Sequence, residues 1–248
     1  MKKLIFFVVL IFFFSGCGEE EKTTPAFPEI ENPLNQIDVL QRTLNEAVEI
    51  SDLIVNFDID FQIHRNPDGS LFSGWIKKSY PNGKVGFLFH CRDGLQDGLH
   101  TAWFENGKKM VERSWKDGIR EGPFKNWSAA GILESRGYNK NNLRDGLCEE
   151  FYDNGIKKSE INYKAGKIDL FSRWKPDGTA CPHTQLQGGT GIVINYNDNG
   201  TADSNVSYYM GELDYGRSND FNQNNTLNEA SLNLTEDLNS SILPNFKP

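Results

Sequence analysis

Covalent catalysis needs a nucleophile beside a base, and this chain has only four histidines: His64, His90, His100 and His183. Cys91 and His100 flank a turn at 93–98 and are expected to face each other across paired strands. A thiol–imidazole dyad also needs an activated thiol and an orienting third group. The sequence offers neither, and it contains no Gly-x-Ser-x-Gly, phosphate-loop or His-Glu-x-x-His pattern. A thiol and an imidazole alone do not complete a zinc site. Carboxylates are plentiful but recur at no spacing that pairs an acid with a base. The reading is therefore non-enzymatic, with no cofactor and no metal. The residues that recur are aromatic: Trp103, Trp127, Phe151, Trp174 and Tyr196. Their broad faces suit contact with a protein or a sugar.

Composition limits the class. The 248 residues are 38% hydrophobic, 12% aromatic and 24% charged, too apolar for a wholly disordered chain. The formal charge is −8; residues 1–16 hold two Lys and no acid, leaving 24 basic against 34 acidic residues, a net of −10. That balance excludes nucleic acid as a partner and argues against repeats that bind anionic lipid heads.

Residues 1–16 have the form of an export signal. Lys2 and Lys3 precede an apolar run of eleven residues, Leu4 to Phe14. Such a run is too short to span a membrane, which takes ~20 residues. It ends in Phe14-Ser15-Gly16-Cys17, which resembles the lipobox of bacterial lipoproteins, with Phe14 where that family usually has Leu. The resemblance implies that Cys17 is lipidated and becomes the new N-terminus, so that acyl chains anchor the protein in the membrane. Gly18, which is not Asp, implies the bacterial outer membrane. Residues 17–32 then read as a polar tether.

A capping helix is expected over 33–52. Asn32-Pro33 starts it, and Leu34, Ile37, Leu40, Leu44, Ala47 and Val48 recur at helical spacing to about residue 50. From 53 to 216 the pattern changes to short strands and glycine turns. Gly74, Gly98, Gly122 and Gly146 are each 24 residues apart, and Gly83, Gly107, Gly131 and Gly155 follow them by nine. Second turns come at Asp93-Gly94, Asp117-Gly118, Asn141-Asn142 and Ala165-Gly166. Later units start at Asp169 and Gly191, and a partial unit turns at Asp68-Gly69. Two turns per unit leave two strands, so each unit is a β-hairpin and the hairpins join in an antiparallel meander. The aromatics, with Trp115, Tyr138, Tyr163 and Tyr208 on the returning strands, are expected to stack along this sheet. Residues 217–248 hold eight Asn and form a tail with a weak helical pattern behind Thr226.

The run Gly98 to Lys108, Gly-x4-aromatic-aromatic-x-Asn-Gly-Lys, is similar to the MORN-repeat family. It looks most like the bacterial variant grouped with YwqK-type antitoxins of toxin–antitoxin systems. The resemblance covers about 57–216. It implies a mainly β fold, an elongated single-layer meander of about six MORN-like hairpins that binds other molecules without catalytic residues. The expected function is a membrane-anchored protein-interaction or scaffolding module of the cell envelope. The alternative is a carbohydrate- or cell-wall-binding module. Expected partners are the membrane, through the lipid on Cys17, and an envelope protein or a glycan. Candidate binding residues are the five aromatics and His183, which lies in the inserted Cys181-Pro182-His183 loop.

Cys91, Cys148 and Cys181 are expected to remain unpaired. In a meander Cys91 and Cys148 are five strand steps apart, about 24 Å at ~4.8 Å per step. The helix is expected to cap the first sheet edge, and the tail the last.

Overall fold

The computed structural model describes residues 32–57, 62–214 and 219–220. Cys17, the export signal, most of the tether and nearly all of the tail lie outside the described residues. The chain opens with a turn at Pro33–Asn35 and helix α1, Ile37–Glu46. Short strand β1 (Val48–Glu49) and a hairpin of β2 (Ile54–Phe57) and β3 (Gln62–Arg65) follow. The meander begins with β4 (Gly74–Ser79), β5 (Val85–Arg92), β6 (Leu95–Trp103) and β7 (Lys109–Lys116). It continues through β8 (Ile119–Trp127), β9 (Leu133–Lys140), β10 (Leu143–Arg144), β11 (Gly146–Phe151), β12 (Lys157–Lys164) and β13 (Lys167–Arg173). It ends with β14 (Gln185–Gln187), β15 (Thr190–Tyr196), β16 (Ala202–Tyr209), β17 (Glu212–Leu213) and β18 (Asn219–Asp220).

Among the described residues, β1 and β4 to β18 form one sheet whose hairpins pair in sequence order, so the meander is as the repeats require. At ~4.8 Å per step the row of strands is roughly 60 Å long. The two ends of its hairpins use different turns. At the second turns both central residues have positive φ, as at Asp93 (49°) and Gly94 (81°), the mark of a type I′ hairpin. At the Asn-Gly turns only the glycine does, as at Gly83 (81°). Asn82 Oδ1 instead accepts from the Lys84 N–H, and Asn106 and Asn154 repeat this with Lys108 and Ile156. This turn ends in a bulge that shifts the register in front of Ser79, Trp103, Trp127, Phe151 and Tyr196.

The helix is shorter than its apolar spacing suggests. It stops at Glu46, because Val48 and Glu49 pair in parallel with Ile76 and Lys77 of β4. The first edge is thus covered by β1, and α1 lies over one face of the sheet, its residues packing with Leu88, Trp75, Leu99 and Trp103. We call this the helix face. The chain then crosses to the opposite face, where Val48, Ile50 and Leu53 pack with Phe72, Ile76, Phe89 and Cys91. His64 of β3 packs there against Phe89, ring centroids 5.3 Å apart. We call this the hairpin face. At the far end β17 and β18 both pair with β16, so Asn219–Asp220, assigned to the tail by composition, belongs to the sheet edge.

The three cysteines in the described residues are free. Cys91 and Cys148 lie on the hairpin face, five strand steps apart, and Cys181 packs on the helix face with Ile192, Ile194 and Tyr196. Gly137 explains the tight packing around Cys148: a Cβ there would collide with the Cys148 Sγ and come within 2.8 Å of Phe124. Gly137→Ala is expected to lower unfolding stability by about 1–3 kcal/mol, and adding Cys148→Ala to recover part of the loss, measured by urea denaturation.

Candidate functional site

The helix face carries the recurring aromatics. They do not stack on one another. Equivalent residues sit two strands apart, about 9.6 Å at the ordinary strand spacing, beyond ring contact. The returning strand places a cation between them. Lys109 Nζ lies over Trp127 at 5.9 Å, the Arg136 guanidinium over Phe151 at 5.7 Å, and Lys157 over Trp174 at 5.4 Å. Lys175 lies over Tyr196 at 5.4 Å. Each such contact contributes about 0.5–1 kcal/mol at a partly exposed site.

The bulges produce this arrangement. Val111 pairs with Ala102 and Lys109 pairs with Trp103, so Met110 is the extra residue. Without it, Lys109 and Val111 would share a face by the two-residue period of a strand. With it, Lys109 joins Trp103 and Glu112 on the helix face. Lys158 does the same for Lys157 two periods on. Tyr138 shows the rule from the other side. It pairs with Pro123, one residue out of phase with Trp115 and Tyr163, so it projects from the helix face while they project from the hairpin face.

Buried carboxylates hold the cations in place. Glu149, 4% exposed, receives Arg136 Nη2 at 2.6 Å and Nε at 2.7 Å, and also pairs with Lys157. Lys157 reaches Glu160 at 2.9 Å. Glu112, also buried, takes Lys109 and the amide of Asn32, which ties the helix-capping turn to the sheet. These acids and cations were not marked by sequence reasoning, which indexed only glycines and aromatics. Their signal is twice the 24-residue period: Lys109 with Lys157, and Glu112 with Glu160.

The five aromatic candidates do not form one platform. Trp103 is packed into the cluster beneath α1. Trp127, Phe151 and Trp174 are half-buried along the stretch from β8 to β13, past the helix. Tyr196 is a correction: it is 8% exposed, under the 181–184 loop, with its hydroxyl 2.8 Å from Cys181 Sγ. Burial raises its pKa, and no face remains for a ligand. His183 is half-buried in that same loop. The insertion reduces β14 to three residues.

The thiol–imidazole pair is a second correction. Cys91 pairs with Gln96 because the turn takes only Asp93 and Gly94, and beyond an irregularity at Gly98, φ 93°, His100 pairs with Phe89. Burial pushes the Cys91 thiol up to about 12 and His100 down to about 4. A protonated thiol and a neutral imidazole bonded to Gln96 at 2.7 Å have no nucleophilic role. Among the described residues no group of three or more His, Cys, Asp or Glu could hold a metal.

Residues 96–117 and 144–165 match the family model of the MORN repeat variant. These segments run from the start of one hairpin unit to its second turn, in the units that begin at Gly98 and Gly146. No curated protein matches the chain.

Burial of neutral His100 has a consequence for stability. The unfolded chain takes up its proton near pH 6.5, whereas the folded chain resists until about pH 4. Protonation therefore favours unfolding, and stability falls as pH drops through that window, by on the order of 2–3 kcal/mol from this group. Comparing native chain and His100→Asn by urea denaturation at pH 7.5 and 4.5 is expected to show a smaller loss in the variant. Equal losses would contradict the assignment.

Proposed function

We propose that this chain is a bacterial envelope lipoprotein whose MORN-variant repeats hold a protein partner on the open stretch of the helix face. MORN repeats generally serve as protein- or membrane-interaction modules. The observation that carries the reading is the row Trp127, Phe151 and Trp174, each under a cation fixed by buried acids. Rigid aromatic and arginine side chains on a preorganised sheet are the composition of interaction hot spots. A carbohydrate platform needs bare ring faces, and here cations occupy them. An antitoxin role is not part of this reading, since a lipid anchor separates the chain from a cytoplasmic toxin.

The N-terminal sequence supports the envelope location in this reading. The basic start, the apolar run and Cys17 support export and lipidation, and Gly18 supports the outer membrane.

Crosslinking in intact host cells, followed by purification and mass spectrometry, tests the partner. One abundant envelope protein is expected, lost on Trp127→Ala with Trp174→Ala and kept on Asp203→Ala, a change at the bulge near the far end. Retention by the double variant, or recovery of glycan fragments alone, would overturn the reading. Fractionation tests the anchor: Cys17→Ala with a cleavable signal is expected to release the chain from membranes, and its persistence there would refute a lipid anchor.

A further inference from the structure

The hairpin face holds a cleft of about 380 Å³ that the repeat array does not require. Its walls include Phe87, Ala102, Met110, Val111, Arg113 and Trp115. They are largely apolar, and the charged side chains in the lining are Lys78 and Arg113. No carboxylate lines it.

Arg113 is the front member of a cationic group. It donates to Asn126 Oδ1 at 3.3 Å, and it feels the charges of Arg120 and Arg144. Arg120 donates to the Asn142 carbonyl at 3.0 Å. Arg144 stacks on Phe124 at 3.5 Å, and its buried Nη1 has no partner among the described residues. None of the three is ion-paired with a carboxylate among the described residues. Glu150, whose field reaches Arg144, is engaged by the Ser159 hydroxyl at 2.7 Å. Burial and mutual repulsion hold Arg113 and Arg144 below the usual guanidinium range. The arginines thus repel one another in a protein whose formal charge is −8.

A second observation lies in the cleft wall. The buried indole N–H of Trp115 has no acceptor among the described residues. An orphaned donor of this kind costs about 1–3 kcal/mol. His100, on the same wall, is neutral near pH 7 and brings no charge of its own. An acceptor carrying negative charge would satisfy both the indole and the guanidinium at once, while the apolar walls cover its body.

We propose that this cleft is a binding site for a compact apolar carboxylate, its anionic end on Arg113 and the Trp115 indole and its body against Phe87, Met110 and Val111. The site is on the opposite face from the partner surface and stands independently of that reading.

The five tryptophans give five indole signals in a proton–nitrogen correlation spectrum of the full-length chain, and Trp115→Phe assigns one. Titration with 2-naphthoate is expected to move the Trp115 signal saturably. Neutral 2-naphthamide is expected to bind at least tenfold more weakly, and Arg113→Met to weaken naphthoate about tenfold while the other indole signals hold. Val111→Phe, which fills the cleft, is expected to abolish the shift. No movement of the Trp115 signal up to ~10 mM naphthoate, or equal binding of the amide, would overturn the proposal. Where Arg113→Met does not fold, the comparison of acid and amide on the native chain decides.

Discussion

The structure depends on the bulge that follows each Asn-Gly turn. A plain two-residue hairpin would leave the pleat uninterrupted, and Lys109 and Lys157 would point with Val111 and Ser159 away from the aromatics. One extra residue per returning strand reverses that. Met110 and Lys158 absorb the shift, and the cations arrive above Trp127 and Trp174. The buried carboxylates Glu112 and Glu149 then have partners on their own face. A buried carboxylate without a cation would be strongly destabilising, so the bulge and the ion pairs require each other.

The opposite turn has its own requirement. A type I′ turn needs positive φ at both centres, and Asp93, Asp117, Asn141 and Ala165 adopt it. An acceptor twenty residues upstream binds the N–H of that residue: Ser73 for Asp93, Asp97 for Asp117, Glu121 for Asn141 and Asp145 for Ala165. Each turn is thereby fastened to the strand before it. The contact itself recurs every 24 residues.

The sequence revealed the meander because glycine spacing reports turns directly. Trp103, Trp127 and Phe151 were legible as a column for the same reason. Which way they pack was not legible, since ring stacking and cation contact differ only by where a bulge falls. Cys91 and His100 mislead for a related reason: they face each other only across a loop spanning 93–98, whereas the turn takes just Asp93 and Gly94 and sets Cys91 against Gln96. Helix α1 was legible from its apolar spacing, while its end at Glu46 was not, because pairing of Val48 with Ile76 is a long-range contact. Arg120 and Arg144 are one period apart but Arg113 is outside that register, and only the fold of the hairpin face brings the three charges together.

The two faces therefore have different chemistry. The helix face has acids and cations neutralising one another around aromatic rings, and the hairpin face has a surplus of guanidinium beside an apolar cleft. Site-specific photocrosslinking in intact cells tests this division most directly. A photoreactive residue at Leu170 or Ser172, both exposed on the helix face, is expected to capture one envelope protein. The same residue at Asn126, on the hairpin face, is expected to capture none. Capture of that protein from Asn126 but not from Leu170 or Ser172 would contradict the account.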